Sequence, residues 1–238
     1  MPKPRKNKFA HLRPQNRAMN GADGAWPQSI NRGKPRLLSR GGRRLILGVT
    51  GNIGCGKSTV AGMFKTKDCL LIDADKLAHG LFSIGSGVYK KIKKYFGQKI
   101  LQKNNCVDRE KIAKIVFANQ AALAKLSRIV HPELIRQIKR RMRRTKKRII
   151  ILDAALIIEA GLTRMVDKLV VVTAKRQQQI LRSQKSLGLR KKQVILIMKS
   201  QISQRAKSRF ADFIIDNSSQ VTKTQKQVSK IRRQLWKS

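Results

Sequence analysis

The stretch that decides the fold is Leu45–Ala61, with the sequence LILGVTGNIGCGKSTVA. Its apolar start, 45–49, predicts a buried strand, and residues 51–58 then follow the pattern G-x-x-x-x-G-K-S. In this pattern the glycines let the backbone curl, so that successive N–H groups point inward and surround phosphate oxygens. The helix that follows adds the positive end of its dipole. The stretch therefore predicts a P-loop between a strand and a helix.

The P-loop pattern also predicts how a nucleotide would be held. Lys57 is expected to reach the β- and γ-phosphates, and the Ser58 hydroxyl is expected to bind Mg²⁺. The other residues expected to bind the nucleotide are Gly51, Asn52, Ile53, Gly54, Cys55, Gly56 and Thr59. The alternative is a glycine-rich turn that binds nothing, but a strand before the motif and a helix after it favour the P-loop.

Composition limits the class of protein. A chain of 238 residues can bury one good core. Its 55 Lys and Arg against 12 Asp and Glu give a net charge of +43, which favours polyanionic partners without choosing among nucleotides, RNA, DNA and anionic lipid. A proteome with a basic bias would explain the same charge. No apolar run approaches the roughly 20 residues of a membrane span. Three scattered cysteines without metal-ligand spacing fit free thiols in a reducing compartment, so we expect a cytoplasmic protein.

Residues 1–43 differ from the rest of the chain. They are rich in Lys, Arg, Asn, Pro and Gly, contain one acid, Asp23, and have no amphipathic period. Such a composition predicts a disordered basic arm. The arm could be a tail that makes non-specific contacts with polyanions, or the product of a start codon assigned upstream of the true one. A transit peptide is the third alternative, although the arm is poor in Ser.

Residues 44–238 are predicted to form one domain in which strands alternate with helices. Besides the first strand, the predicted strands are 69–72, 148–153, 168–173 and 213–216. This alternation implies a three-layer α/β fold with a five-stranded parallel sheet.

Two helical regions interrupt the alternation. Residues 77–146 are predicted to be a helical insertion that binds the acceptor of the reaction, with Asp108 capping one helix and Pro132 starting a new helical segment. Helices at 175–187 and 190–208 are predicted to meet near Gly188, and 183–204 would form a lid over the nucleotide.

Four of the twelve acids follow the predicted strands at the edge of the sheet where the P-loop lies. They are Asp73, Asp75, Asp153 and Glu159. Phosphoryl transfer needs such carboxylates, because one holds Mg²⁺ directly or through water and another orients or deprotonates the attacking hydroxyl. The alternative for Asp73 and Asp153 is that they cap loops or pair with nearby bases. The signatures of GTPases are absent after the third and fourth strands, so a small kinase fits best.

Several stretches together resemble the dephospho-CoA kinase family. The specific ones are the I-D-A-D of Ile72–Asp75, the pair His131-Pro132 and the A-D-x-x-I-D-N of Ala211–Asn217. The other matching stretches are Thr50–Thr59, which is unspecific by itself, Val107–Arg109, Val116–Asn119 and Asp153–Glu159. Their order covers nearly everything from Leu45 to the C-terminus.

The resemblance implies transfer of the γ-phosphoryl group of ATP to the ribose 3′-hydroxyl of dephospho-CoA, with Mg²⁺, by a protein that we expect to be monomeric. Asp75 would act as the base, and Asp73 would support it or the water shell of the metal. The catalytic residues implied are thus Asp75, Lys57, Asp73 and Arg182, the last as a phosphate contact. Besides Asp75, the acceptor contacts would be Arg109, His131 and Glu159. Lys207 is a further candidate for phosphate.

The sequence also departs from the family. Ala155 stands where the family usually has proline, and Ser186 stands where it usually has a lid arginine. The charge that Ser186 lacks could come from Lys185, Arg190, Lys191 or Lys192, or turnover could be low. For three single residues an alternative without a role in the reaction stays open. His131 could be a helix-junction residue, Arg109 could pair with Asp108, and Arg182 could be a solvated surface charge. Two rival functions also stay open, another small-molecule kinase and a basic RNA-associated protein with little kinase activity.

Overall fold

A computed structural model describes residues 38–39 and 42–236. The predicted basic arm therefore lies outside the described residues, except for its last part. There, β1 (Leu38–Ser39) and β2 (Gly42–Arg43) form a short antiparallel pair.

The five predicted strands form one parallel sheet. They are β3 (Leu45–Thr50), β4 (Cys69–Asp73), β5 (Ile149–Asp153), β6 (Lys168–Thr173) and β7 (Phe213–Asp216). Their order across the sheet is β4-β5-β3-β6-β7, and every neighbouring pair is parallel. The fold class predicted from the sequence is confirmed. The strand that leads into the P-loop lies at the centre of the sheet.

Helices cover both faces of this sheet. The described helices are α1 (Lys57–Phe64), α2 (Ala74–Gly80), α3 (Gly87–Phe96), α4 (Arg109–Ala118), α5 (Gln120–Arg144), α6 (Arg176–Leu187), α7 (Lys191–Ser200), α8 (Gln204–Ser208) and α9 (Val221–Leu235). Short 3-10 turns lie at Gln98–Ile100 and Leu162–Met165. Neighbouring side chains of β3 point to opposite faces: Ile46 joins the core under α2 to α5, and Leu47 joins the core under α1 and α9. This alternation makes the three layers.

Helix α5 differs from the prediction, because it continues through Pro132 instead of restarting there. A proline inside a helix costs about 3 kcal/mol. On this helix, however, Val130 and Leu134 on either side of the proline are buried in the same core. The buried face of the helix continues through Ile138 and Met142. Burying one such side chain contributes about 1.5–3 kcal/mol, so packing of both halves outweighs the defect.

The region 190–208 also differs from the prediction, because it forms two helices instead of one. Gln201 ends α7 in an extended conformation, and the Ser203 hydroxyl caps α8 by accepting a hydrogen bond from Ala206 N. Elsewhere the predicted cap is confirmed: the Asp108 carboxylate accepts hydrogen bonds from Glu110 N and Lys111 N at the start of α4. The break at 201–203 turns polar groups toward the P-loop.

Candidate active site at the P-loop

The P-loop passes so close to its neighbours that it needs glycine at three positions. Gly54 and Gly56 have φ values of 72° and 85°, in the left-handed region that glycine adopts without strain. A Cβ at Gly54 would collide with the Gln179 carbonyl, and a Cβ at Gly51 would lie 2.5 Å from the Cys55 Sγ. The loop is therefore packed against the start of α6, and its shape depends on the glycines of the motif.

Asn217 holds the loop from the side of β7. Its Nδ2 donates to the Cys55 carbonyl at 2.9 Å, and its Oδ1 accepts from the Thr224 Oγ1 at 2.9 Å. No role for Asn217 was predicted from the sequence, although it ends the A-D-x-x-I-D-N pattern. The structure identifies it as a support of the P-loop.

The break between α7 and α8 holds the loop from the other side. Asn52 Nδ2 donates to the Ile202 carbonyl at 3.0 Å, and Ile53 N donates to the Gln201 Oε1 at 3.0 Å. Residues 201 and 202, at the end of the predicted lid, are thus hydrogen-bonded to the P-loop.

The Cys55 side chain fills space inside the P-loop. Its side chain is fully buried, and burial raises the pKa of its thiol to about 11. The thiol therefore stays protonated at neutral pH, which agrees with packing instead of reactivity.

Lys57 joins two of the predicted carboxylates. Its Nζ lies 2.6 Å from the Asp75 Oδ2 and 3.2 Å from the Asp153 Oδ1. Burial works against the charge of Lys57, but the two carboxylates outweigh it and raise its pKa above the usual value. The side chain of Asp75 is 43% exposed and that of Asp153 only 2%. Asp75 is therefore the carboxylate that an incoming substrate can reach.

Asp153 lies beside the predicted metal ligand. Burial raises the pKa of Asp153, while Lys57 and a hydrogen bond with the Ser58 side chain oppose that shift. Lys57 Nζ also lies 3.3 Å from the Ser58 Oγ. The Asp153 Oδ1 is buried, and its partner among the described residues is the Lys57 ammonium.

The Asp73 side chain caps the start of α2. Its Oδ1 accepts a hydrogen bond from Lys76 N at 2.8 Å, and its Oδ2 lies 3.7 Å from the Lys76 Nζ. Asp73 is the register partner of Asp153 across the sheet, so it ends at the same edge. The structure thus shows the capping role that the sequence left open, and a role of Asp73 in catalysis stays a prediction.

Arg109 contacts a side chain of α2. Its Nη1 is 3.3 Å from the Nδ1 of His79, which follows Asp75 by one turn of α2. Partial burial and the charge of Arg109 lower the pKa of His79, which favours the neutral imidazole. His79 was not predicted from the sequence, although its i, i+4 spacing from Asp75 indicates a shared helix face.

His131 lies farther along the insertion, in α5. It is partly buried, and burial lowers its pKa. The hydrogen bonds and ion pairs between described residues include none that joins it to the P-loop. Its contact with an acceptor stays a prediction.

Glu159 and Lys207 form a buried ion pair behind the P-loop. The Lys207 Nζ lies 2.9 Å from the Glu159 Oε1 and donates to the Ala155 carbonyl at 2.8 Å. The Thr50 Oγ1 donates to the same carbonyl, and the Glu159 Oε1 also accepts from Ile202 N. Lys207 has no exposed surface, so it is not available to a phosphate as the sequence reasoning suggested.

We expect Lys207→Met to lower the free energy of unfolding by about 3–5 kcal/mol, because it leaves the buried Glu159 carboxylate without its cation. Urea denaturation followed by circular dichroism measures this. Glu159→Gln combined with Lys207→Met removes both charges and is expected to recover a large part of the loss. A single variant within about 1 kcal/mol of the wild type would show that the pair is not a structural element.

Arg182 lies over the P-loop. A Cβ at Gly56 would be 4.0 Å from its Nη1. That nitrogen is buried and has no hydrogen-bond partner among residues 38–39 and 42–236. An unpaired cationic donor beside a phosphate-binding loop suits an anionic ligand. Ser186, one turn further along α6, donates to the Arg182 carbonyl and brings no charge to this site.

No described helix is both long and apolar enough to span a bilayer. No group of three His, Cys, Asp or Glu side chains in this part of the chain could by itself hold a metal ion.

Comparison with known proteins gives a consistent result. A family model described as dephospho-CoA kinase matches residues 45–223. The dephospho-CoA kinase of Aquifex aeolicus is 38% identical over 190 residues, which cover 79% of this chain and 96% of that protein. The enzyme of Carboxydothermus hydrogenoformans is 34% identical, with 81% and 94% covered.

Solved structures agree with these relatives. The chain is similar to the protein TT1252 from Thermus thermophilus with a TM-score of 0.70 at 24% identity, over 82% of this chain and 99% of that one. It is also similar to a dephospho-CoA kinase from Campylobacter jejuni with a TM-score of 0.58 at 26% identity, over 81% and 97%.

Proposed function

The chain belongs to the dephospho-CoA kinase family, and from this premise we propose that it transfers the γ-phosphoryl group of ATP to the ribose 3′-hydroxyl of dephospho-CoA, giving coenzyme A. The observation that carries the proposal is the contact between Lys57 and Asp75 at 2.6 Å. It brings the lysine of the phosphate-binding loop and an accessible carboxylate to one point. A donor phosphate and an acceptor hydroxyl must meet at such a point.

Lys57 and Asp75 exchange partners in this proposal. The ammonium leaves Asp75 for the β- and γ-phosphates when ATP binds, because it meets a higher negative charge there. Asp75 is then free to accept a hydrogen bond, and later the proton, from the ribose 3′-hydroxyl. The unpaired Nη1 of Arg182 supplies a second cation for the phosphates.

The residues around Ser58 fit Mg²⁺. The ion prefers oxygen ligands and keeps several waters, and the buried Asp153 carboxylate beside the Ser58 hydroxyl offers such ligands. We propose that Ser58 and Asp153 hold the ion and that Asp73 contacts its water shell. When bound, Mg²⁺ neutralises charge that develops on the phosphate oxygens. Asp153 thus joins the site as a candidate ligand beside the predicted Asp73.

The acceptor would lie between α2 and the rest of the helical insertion, 77–146. Arg109 beside His79 supports this placement. His131 is a further candidate for a contact, as is the Oε2 of Glu159, which has no hydrogen-bond partner among the described residues. The lid, 183–204, would close over ATP and exclude water, so that the acceptor and not water takes the phosphoryl group.

The proposal includes the setting of the reaction. Three free cysteines among the described residues support a reducing compartment, and we propose a cytoplasmic monomer. Of the two rival functions, the RNA-associated protein with little activity would not need an accessible carboxylate at the P-loop lysine.

The test is incubation of the purified full chain with Mg-ATP and dephospho-CoA, with coenzyme A measured by mass spectrometry. Adenosine and AMP serve as matched acceptors that lack the pantetheine arm. We expect coenzyme A as the main product. ATP turnover with another acceptor, or none with any, would contradict the proposal.

We further propose that residues 44–238 are sufficient for the reaction. The family match begins at residue 45, and the arm lies outside it. Deletion of residues 1–43 is therefore expected to leave kcat and both KM values within about threefold of the full chain, measured in the same assay. A loss of tenfold or more would show that the arm belongs to the enzyme.

A further inference from the structure

A second charged region lies at the opposite edge of the sheet from the P-loop. Residues 139–148, KRRMRRTKKR, contain eight Lys and Arg in ten positions and no acid. They form the end of α5 and the connection to β5. Each of the eight cations is exposed, whereas Met142 between them is buried. One strand of five to six residues, about 17–20 Å, separates this edge from the P-loop.

The fold adds further cations from distant parts of the chain. The Arg44 guanidinium donates to the carbonyls of Met142 and Thr145, both at 2.5 Å. The Lys147 Nζ donates to the Lys67 carbonyl at 2.5 Å, which places exposed Lys67 beside the cluster. We call Arg44, Lys67 and residues 139–148 the basic edge. In sequence, Arg44 directly follows residues 1–43, which carry eleven more Lys and Arg.

Few acids offset this charge. Asp68 follows Lys67 in the chain, and the Asp167 carboxylate accepts a hydrogen bond from Ile46 N at 2.7 Å, so it is engaged with the backbone. In sequence, the nearest acids to the cluster are Glu133 and Asp153, and Glu133 is paired with Arg136. The Lys and Arg side chains of the basic edge thus repel one another. A polyanion that binds there would release its own counterions.

From these observations we propose that the basic edge binds the phosphate backbone of a nucleic acid, without sequence specificity and independently of the kinase site. Exposed aromatic side chains, on which bases would stack, are absent from this edge as described, which favours contact with phosphates alone. The exposed large apolar residues of the described chain lie elsewhere, so the edge lacks the apolar face that an interfacial membrane helix needs.

The test compares two variants with the same loss of charge. Arg140→Gln, Arg143→Gln and Arg144→Gln together remove three charges from the basic edge. The control, Lys90→Gln, Lys91→Gln and Lys94→Gln, removes three exposed charges from α3. The hydrogen bond from Arg136 and the charge of Lys91 lower the pKa of Glu133, so α3 lies near Glu133. Arg140 is about 10 Å further along α5, so the two variants change different parts of the surface. Glutamine keeps the helix propensity in both cases.

The readout is binding of the full-length protein to a fluorescent 20-base-pair RNA duplex, by anisotropy over a series of salt concentrations. A DNA duplex and vesicles of phosphatidylserine in phosphatidylcholine are the other arms. We expect the edge variant to reduce the slope of log K against log salt by about three, since removal of one phosphate-binding cation lowers that slope by about one. The control should reduce it by less than one, and the edge variant should keep wild-type kinase activity.

Three outcomes would overturn the proposal. Equal loss in both variants would mean that only the total charge matters, and no loss in the edge variant would mean that nucleic acid binds elsewhere. Binding to vesicles that is stronger than binding to either duplex and is lost with the edge variant would assign the surface to membranes. Loss with RNA or DNA alone supports the proposal and identifies which nucleic acid the edge prefers.

Discussion

Lys57→Ala is expected to lower kcat by about 10²- to 10³-fold, the range seen when one positioned donor to developing charge is removed. The ammonium lies between the P-loop and both carboxylates, at 2.6 Å from Asp75 and 3.2 Å from Asp153. Without it the terminal phosphates lose their positioning partner, and two negative side chains face them unopposed. Steady-state turnover of Mg-ATP and dephospho-CoA measures the effect.

A control is needed because Lys57→Ala also leaves buried Asp153 without its cation, which destabilises the fold. Lys57→Arg keeps a charge at the position, but its planar fork does not replace a compact ammonium in this space. We expect Lys57→Arg to retain the thermal stability and still to lose most of the activity. Activity of Lys57→Ala within threefold of the wild type would remove Lys57 from the phosphate site.

Asp75→Asn is expected to lower kcat by about 10²- to 10⁴-fold, the range for loss of a general base, while ATP affinity changes by no more than a few fold. The amide has nearly the same shape but does not accept the proton of the 3′-hydroxyl. It also loses the charge that holds Lys57 in the absence of nucleotide, so ATP binding should be unchanged or slightly tighter. Rapid-quench measurement of kcat and equilibrium binding of a non-hydrolysable ATP analogue separate the two effects.

Asp73→Asn is the matched control, since Asp73 lies two residues before Asp75, at the end of β4. Asparagine is as good an N-cap as aspartate, so the cap on α2 is retained and only the charge is lost. A small effect on kcat would limit Asp73 to the cap and the outer part of a metal site. If Asp73→Asn lost as much as Asp75→Asn, or if Asp75→Asn kept its kcat, the assignment of the base to Asp75 would be wrong.

The sequence alone was sufficient for the scaffold of the site. Short-range rules predicted the strand before the P-loop, the motif itself, the five parallel strands and the edge at which the acids end. It was also sufficient to place Lys57 and Asp75 at that edge, because a strand end and a motif position are properties of neighbouring residues. The same rules were wrong at Pro132, where a local breaker was outweighed by burial of residues on both sides of it.

The partners of the charged and polar side chains were decided only by the tertiary structure. The sequence proposed Lys207 for phosphate, and the fold buries it in a pair with Glu159. It made Asp73 a cap, gave Lys57 a second carboxylate in Asp153, and used Asn217 to hold Cys55 across 162 residues of chain. The physical reason is range: backbone conformation follows mainly from adjacent residues, whereas an ion pair or hydrogen bond depends on which distant segments are packed together.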